Sequence, residues 1–403
     1  LSVTLNTSIG ELALTGDSYL RLPARGNWTA ICEMTSFAAP TIGEPATIAV
    51  LPEARENQSA GVPDAFVGTV RHSRVVPGSE TLVVRVVGGA GRLFASLPPA
   101  DHVAGSTVLP AGLVLRKITD AAGEVLASGV EDALDAYLLP RWHRAGGTSA
   151  RDAIDLLVYD LARATGLEIG WRMLADGTIW AGVETWPDAT GSFLYTDQDP
   201  DDGVVEFAPS GAPLRPGTTV QGERAVEVFY QFASPKVRAR VRHAVPGDPQ
   251  RVAAQVATDL YRASYGARVE AQRDDGTLDL VCDDARMGEL LSVPFRSGSA
   301  GMAHTFPAGA AGVGARVRLR FQDASPRGAY ASDVDQDPNA THAIALVADG
   351  VDIGTLAGTS PSGPVTFVFT PKGGTPGAPG ATVTLSGVIA GPGHKYVKGV
   401  RGS

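Results

Sequence analysis

Between residues 268 and 330, short alternating runs and turn signals follow one another so regularly that a small β structure is the natural solution. Arg268 to Arg273 and Thr277 to Cys282 are strand-like runs joined by Asp274-Asp275-Gly276. An Asp-Gly step between alternating segments marks a hairpin, because glycine supplies the positive φ that the turn demands. In the second run Leu278, Leu280 and Cys282 share one face, since side chains alternate along a strand. Leu290, Leu291, Val293 and Phe295 follow, then a glycine-spaced stretch through Gly298 and Gly301. Arg316 to Phe321 turns Val317, Leu319 and Phe321 inward and Arg316, Arg318 and Arg320 outward, as a half-buried strand does.

Four or five short strands in about sixty residues fit an oligonucleotide/oligosaccharide-binding (OB) type barrel. The ordered series Gly276-Thr277-Leu278-Asp279-Leu280, Asp283-Asp284, Val293-Pro294-Phe295-Arg296, Pro307-Ala308-Gly309, Val317-Arg318-Leu319-Arg320-Phe321 and Ser325-Pro326-Arg327-Gly328-Ala329-Tyr330 resembles the OB domain of phage baseplate spike proteins. That resemblance implies a homotrimeric spike that caps a tail tube, a structural role rather than catalysis.

The chain has 403 residues, enough for two to four compact units. Its 48 glycines and 28 prolines, with 44% apolar and 19% charged residues, favour many turns and short strands, hence a mainly β or α+β protein. The net charge of −9 argues against nucleic-acid recognition, which needs a basic footprint. Cys32 and Cys282 lie far apart in the sequence and read as free, buried thiols. Neither a secretory leader nor a run of apolar residues long enough to span a membrane is present in the sequence.

Residues 1–118 read as a β-barrel domain, with strands at Glu11 to Leu14, Tyr19 to Leu22, Asn27 to Met34, Ala46 to Leu51, Phe66 to Arg71 and Thr81 to Val87. Leu82 to Val87, nearly all apolar, should be central in its sheet. Residues 119–202 read as a small α/β domain. One helix runs from Glu131 to Leu139 and stops at Pro140. A second runs from about Ala150 to Thr165, with Ser149 as N-cap, Asp152 in its first turn, an apolar stripe of Ile154, Leu157, Val158 and Leu161, and Gly166 at C′. Leu167, Ile169, Trp171 and Met173 then alternate into Asp176-Gly177, and Ile179, Ala181 and Val183 alternate out.

Residues 203–265 read as a second barrel segment, with Val226, Val228 and Tyr230 on one face, followed by a connector helix from Asp248-Pro249 to about Tyr265. The OB resemblance makes residues 266–335 a spike domain, and 336–403 read as a β-rich C-terminal tip with strands at Ala343 to Ala348, Val365 to Phe369 and Thr382 to Ile389. This domain order resembles phage baseplate hubs and the VgrG spikes of type VI secretion. The resemblance implies a homotrimer that adapts a sixfold tube to threefold symmetry. Its implied partners are tail tube and baseplate proteins, with a tape measure protein and a tip protein. It also implies assembly in the bacterial host cytoplasm, a place in the virion tail, and transient contact with the host envelope.

Two acidic stretches invite a calcium reading, Asp197 to Gly203 and Asp333 to Asn339, but the glycine and the closing Glu of a calcium loop are misplaced or missing, so both read as solvated loops. The histidines at 72, 102, 143, 243, 304, 342 and 394 form no helical ligand pair. Gly88-Gly89-Ala90-Gly91 lacks the Lys-Ser/Thr of a phosphate loop and reads as a turn. No nucleophile elbow occurs. The sequence therefore predicts no enzyme, no catalytic residue, no metal site and no cofactor. The alternative is a carbohydrate-binding or cell-wall-degrading tail-tip protein, in which Trp28, Trp142, Trp171, Trp180 and Trp186 supply stacking platforms. The outward arginines at 238, 240 and 242 and at 316, 318 and 320 face solvent or a neighbouring subunit.

Overall fold

A computed structural model describes residues 2–36, 38–51, 64–103, 108–189, 194–199, 204–208, 214–220, 222–231, 237–241, 249–296, 302–306 and 315–334, with strand segments at 345–348, 365–368 and 382–385. The fold is mainly β and divides into two compact units: residues 1–97, 106–139 and 147–257 in the first, and 98–105, 140–146 and 258–403 in the second.

In chain order the elements begin with β1 (Ser2–Thr7), β2 (Gly10–Ala13), β3 (Thr15–Pro23), β4 (Thr29–Thr35), β5 (Pro45–Leu51), β6 (Asp64–Val75), β7 (Thr81–Gly88), β8 (Ala100–Val103) and β9 (Leu109–Pro110). Then come α1 (Ala111–Ala122), α2 (Val130–Asp135), β10 (Leu138–Leu139), β11 (Arg141–Arg144), α3 (Ala150–Thr165), β12 (Ile169–Met173) and β13 (Ile179–Val183). The rest are β14 (Leu194–Asp199), β15 (Val204–Ala208), β16 (Thr219–Val220), β17 (Glu223–Gln231), β18 (Val237–Val241), α4 (Pro249–Tyr261), β19 (Tyr265–Gln272), β20 (Leu278–Cys282), β21 (Glu289–Val293), β22 (Met302–Thr305), β23 (Arg316–Phe321), β24 (Ala329–Val334), β25 (Ala345–Ala348), β26 (Val365–Val368) and β27 (Thr382–Leu385).

The first unit is organised by one antiparallel sheet in the order β14-β15-β18-β17-β3-β4-β7-β6-β5-β1-β2, with β16 added to β17. β7 lies in its interior, and Leu82, Val84 and Val86 are wholly buried, as their apolar run requires. The late strands therefore join the early ones: β17 pairs with β3 from Glu227↔Pro23 to Gln231↔Tyr19. A bulge between Ala225 and Glu227 shifts the register of β17 against β18. This corrects the alternation expected there, since Ala225, Val228 and Tyr230 are buried while Val226 is only half-buried.

The helical portion starts earlier than the change of pattern near residue 119 suggests. α1 begins at Ala111 and buries Val114, Leu115, Ile118 and Ala122. Pro110 and Gly112 disguise it, being poor helix formers whose cost packing overrides. α2 is shorter than the expected Glu131 to Leu139 helix. Its chain turns out at Ala136, and Leu138 and Leu139 become a strand opposite Pro110 and Leu109. α3 matches its signals: the Ser149 hydroxyl accepts from the Asp152 N–H (3.1 Å), and Gly166 takes φ 71° at C′. β12 and β13 form the expected hairpin, though Leu167 precedes it and is exposed. α4 ends at Tyr261, so Tyr265 and Gly266 belong to β19 rather than to the connector helix.

In the second unit a five-stranded sheet runs β21-β20-β19-β23-β24. Its two ends meet: Phe295 and Ala331 form a parallel bridge, Arg296 N–H donates to the Ala331 carbonyl (2.8 Å) and Ala331 N–H to the Pro294 carbonyl (2.9 Å). Val269, Leu278, Leu280, Leu290, Val293, Val317 and Leu319 fill the interior, each with no exposed surface. Arg316 and Arg320 turn outward and pair within the chain, with Asp283 and Asp333. Side chains at 238 and 240, and residue 242, lie outside what is described. Short antiparallel pairs link β22 with β25 and β26 with β27; residues 343–344, 369 and 386–389 of the strands expected there lie outside the described residues.

Candidate functional site

Two polar clusters and one cleft stand out. In the second unit, β8 and β11 pair antiparallel from Arg141↔Val103 to Arg144↔Ala100. All four residues of β11 are buried, polar ones included, so every charge there needs a partner. The Arg141 guanidinium donates to Asp101 Oδ2 and to the carbonyls of Leu291 (2.8 Å) and Ser292 (3.2 Å). Asp101 Oδ2 also accepts from Leu291 N–H (2.7 Å). One buried ion pair thus ties the β8–β11 ribbon to the backbone of β21. Arg144 reaches the Pro98 carbonyl (3.0 Å).

His143 lies inside this cluster with no exposed surface. Its Nδ1 is 3.6 Å from Asp101 Oδ1, a close electrostatic contact longer than a hydrogen bond. Neither ring nitrogen has a hydrogen-bond partner among the described residues. Burial pushes the imidazole below its ordinary value of 6.5; Asp101 opposes that, while Arg141 and Arg144 add to it. The phenyl ring of Phe321 is 5.7 Å away and the Tyr261 ring 6.3 Å. Burial likewise lowers Arg141, against the pull of Asp101.

In the first unit, the loop after β7 closes on Glu124 at the end of α1. Ala90 N–H donates to Oε2 (2.9 Å) and Arg92 N–H to Oε1 (2.8 Å). The Gly88 to Gly91 turn therefore does cradle an anion, but one supplied by its own chain. Burial raises the Glu124 carboxyl, with the loop N–H groups pulling the other way. Nearby, Arg172 binds Glu184 (2.8 and 3.0 Å) and stacks on Trp180 (3.9 Å).

Arg172 also borders a cleft of about 240 Å³ lined by Trp28, Phe66, Met173, Pro187 and Arg215 among others. Among the described residues its lining holds no carboxylate, imidazole or thiol. Among the described residues, no three His, Cys, Asp or Glu side chains converge to hold a metal ion. Both cysteines are free and buried, and burial pushes the Cys32 thiol up to about 12. No described helix is long and apolar enough to cross a membrane.

The acidic stretches are not simply loops. The backbone of Asp197 to Asp199 belongs to β14, and Asp333 lies in β24 paired with Arg320. The stacking platforms fare no better. Trp28, Trp142 and Trp171 are buried core residues, while Trp180 and Trp186 already carry the guanidinium groups of Arg172 and Arg224. Asp101, Arg141, His143 and Glu124 were not visible as a group. The one local signal was Arg141-Trp142-His143-Arg144, a bulky run without alternation directly after Pro140.

No protein-family model matches the chain, and no curated protein matches it. Solved structures similar to it include phage tail proteins and VgrG complexes. The 43 kDa tail protein of prophage MuSo2 from Shewanella oneidensis is 8% identical, with 62% of this chain and 98% of that one covered and a TM-score of 0.41. The tail protein from Neisseria meningitidis MC58 is 10% identical, with 62% and 98% covered and a TM-score of 0.40. The half-lidded Francisella PdpA–VgrG complex is 6% identical, with 92% of this chain and 81% of that one covered and a TM-score of 0.40.

Proposed function

We propose that this chain is a non-enzymatic hub and spike component of a phage tail or phage-tail-like injection machine. The observation that carries the reading is the strand order of the second unit. Its order β21-β20-β19-β23-β24, with a parallel bridge joining the ends, supports the reading as a five-stranded OB-type barrel, and the same stretch bears the motif series from Gly276 to Tyr330. A largely antiparallel hub precedes it in the chain.

In this reading three copies assemble about one axis, cap the tail tube and adapt its sixfold symmetry to threefold, which asks each chain to present two quasi-equivalent β faces to the tube. Tail tube and baseplate proteins, a tape measure protein and a tip protein are the partners. The chain recognises no nucleic-acid sequence, assembles in the bacterial host, resides in the virion tail and meets the host envelope only transiently. Native mass spectrometry of the purified chain is expected to give a trimer at micromolar concentration, and particles lacking the protein are expected to have incomplete tail tips. A monomer, together with normal tails on particles without it, overturns the proposal.

A further inference from the structure

We infer that Asp101, Arg141 and His143 form an acid-sensitive latch, in which protonation of His143 loosens the β8–β11 ribbon from the five-stranded sheet of the second unit. The ribbon is held by few bonds. Arg141 and Asp101 hold β21 through Leu291 and Ser292. His143 N–H donates to the Pro326 carbonyl (3.2 Å), and Gly146 N–H to that of Arg286. Ala145 N–H donates to the Tyr261 hydroxyl (3.2 Å), which in turn donates to the His143 carbonyl (3.0 Å). His143 is thus the midpoint of the attachment.

The charges facing it are unequal. β8 contributes the Asp101 carboxylate; β11 contributes the Arg141 and Arg144 guanidiniums. α4 presents the Tyr261 ring and β23 the Phe321 ring, neither charged. Asp279 of β20 acts on Arg141, and only Asp101 acts as an anion on His143. With the imidazole neutral, one carboxylate already serves Arg141. A buried imidazolium would be a third cation beside Arg141 and Arg144, with Asp101 the one carboxylate acting on it, and it would compete with Arg141 for Asp101. The cheapest relief is for the ribbon to lift and let the imidazolium hydrate, a local opening rather than global unfolding.

The sign follows from the ring's lowered proton affinity. The folded state binds this proton less readily than the opened state, so the latch is at full strength above about pH 6.5 and weakens as pH falls through the window between that value and the folded pKa.

Hydrogen exchange on the full chain, expressed as protection factors between about pH 7.5 and 5.5, reads this directly. Segments 98–103 and 140–146 are expected to lose up to about tenfold in protection per pH unit below about 6.5, while the β12–β13 hairpin keeps its protection. His143→Gln is expected to flatten the dependence. Ribbon protection that does not change with pH in the native chain overturns the inference, as does an unchanged acid loss in His143→Gln. Should that variant fail to fold, a histidine titration in the native protein showing His143 at or above 6.5 overturns it equally.

Discussion

Trp171 on β12 donates its indole N–H to Asp155 Oδ1 on α3 at 2.5 Å, and both residues are buried. An apolar helix face and an apolar hairpin are thereby pinned in one register by a single charge-assisted hydrogen bond. Replacing Trp171 by Phe keeps most of the packing and removes the indole donor from the buried Asp155 Oδ1. A loss of about 1–3 kcal/mol is expected from urea unfolding followed by circular dichroism.

Arg141 and Asp101 form a buried ion pair with side chains 5% and 3% exposed. Removing one partner leaves the other charge stranded, so Arg141→Met should destabilise the second unit by about 3–5 kcal/mol. Adding Asp101→Asn should recover part of that loss. A double-mutant cycle in denaturant measures the coupling; strict additivity would mean the two do not act as a pair.

Glu124 closes the turn after β7. Glu124→Ala leaves the N–H groups of Ala90 and Arg92 unpaired and should cost about 1–3 kcal/mol. The pH dependence has a definite sign. Burial raises this carboxyl above 4.5, so the folded chain takes up the proton before the unfolded chain does. The stability gap between native and Glu124→Ala chains should therefore widen as pH falls toward about 4.5, where the wild-type gain is complete, and be smallest near neutrality. Melts across that range, run on both chains, check it.

Gly112 lets α1 approach α2. A Cβ there would stand 2.2 Å from the Glu131 carbonyl oxygen, a backbone atom that cannot swing aside. Gly112→Ala should cost about 1–3 kcal/mol despite alanine's better helix propensity, seen as a lowered thermal midpoint.

Local chemistry was legible wherever one residue decides one conformation. Ser149 and Gly166 bounded α3, Asp275-Gly276 turned β19 into β20, and the alternation of Arg316 to Phe321 set its faces. What depended on distant partners was not legible. α1 has proline and glycine at its start and is helical because Val114, Leu115 and Ile118 are buried. The bulge at Ala225 answers the pairing of β17 with β18. Asp101 and Arg141 are forty positions apart, and nothing in either neighbourhood announces the other. The candidate site was therefore the least visible part, since its residues meet only when three separated segments converge.

The ribbon of β8 and β11 also bears on synthesis. Both of its strands leave the ribosome well before the stretch from 258 onward that completes their unit. During translation Asp101 and Arg141 emerge before the β21 backbone groups that they bind. A gene fragment starting at residue 258 would lack those strands altogether, so this unit cannot be isolated by simple truncation.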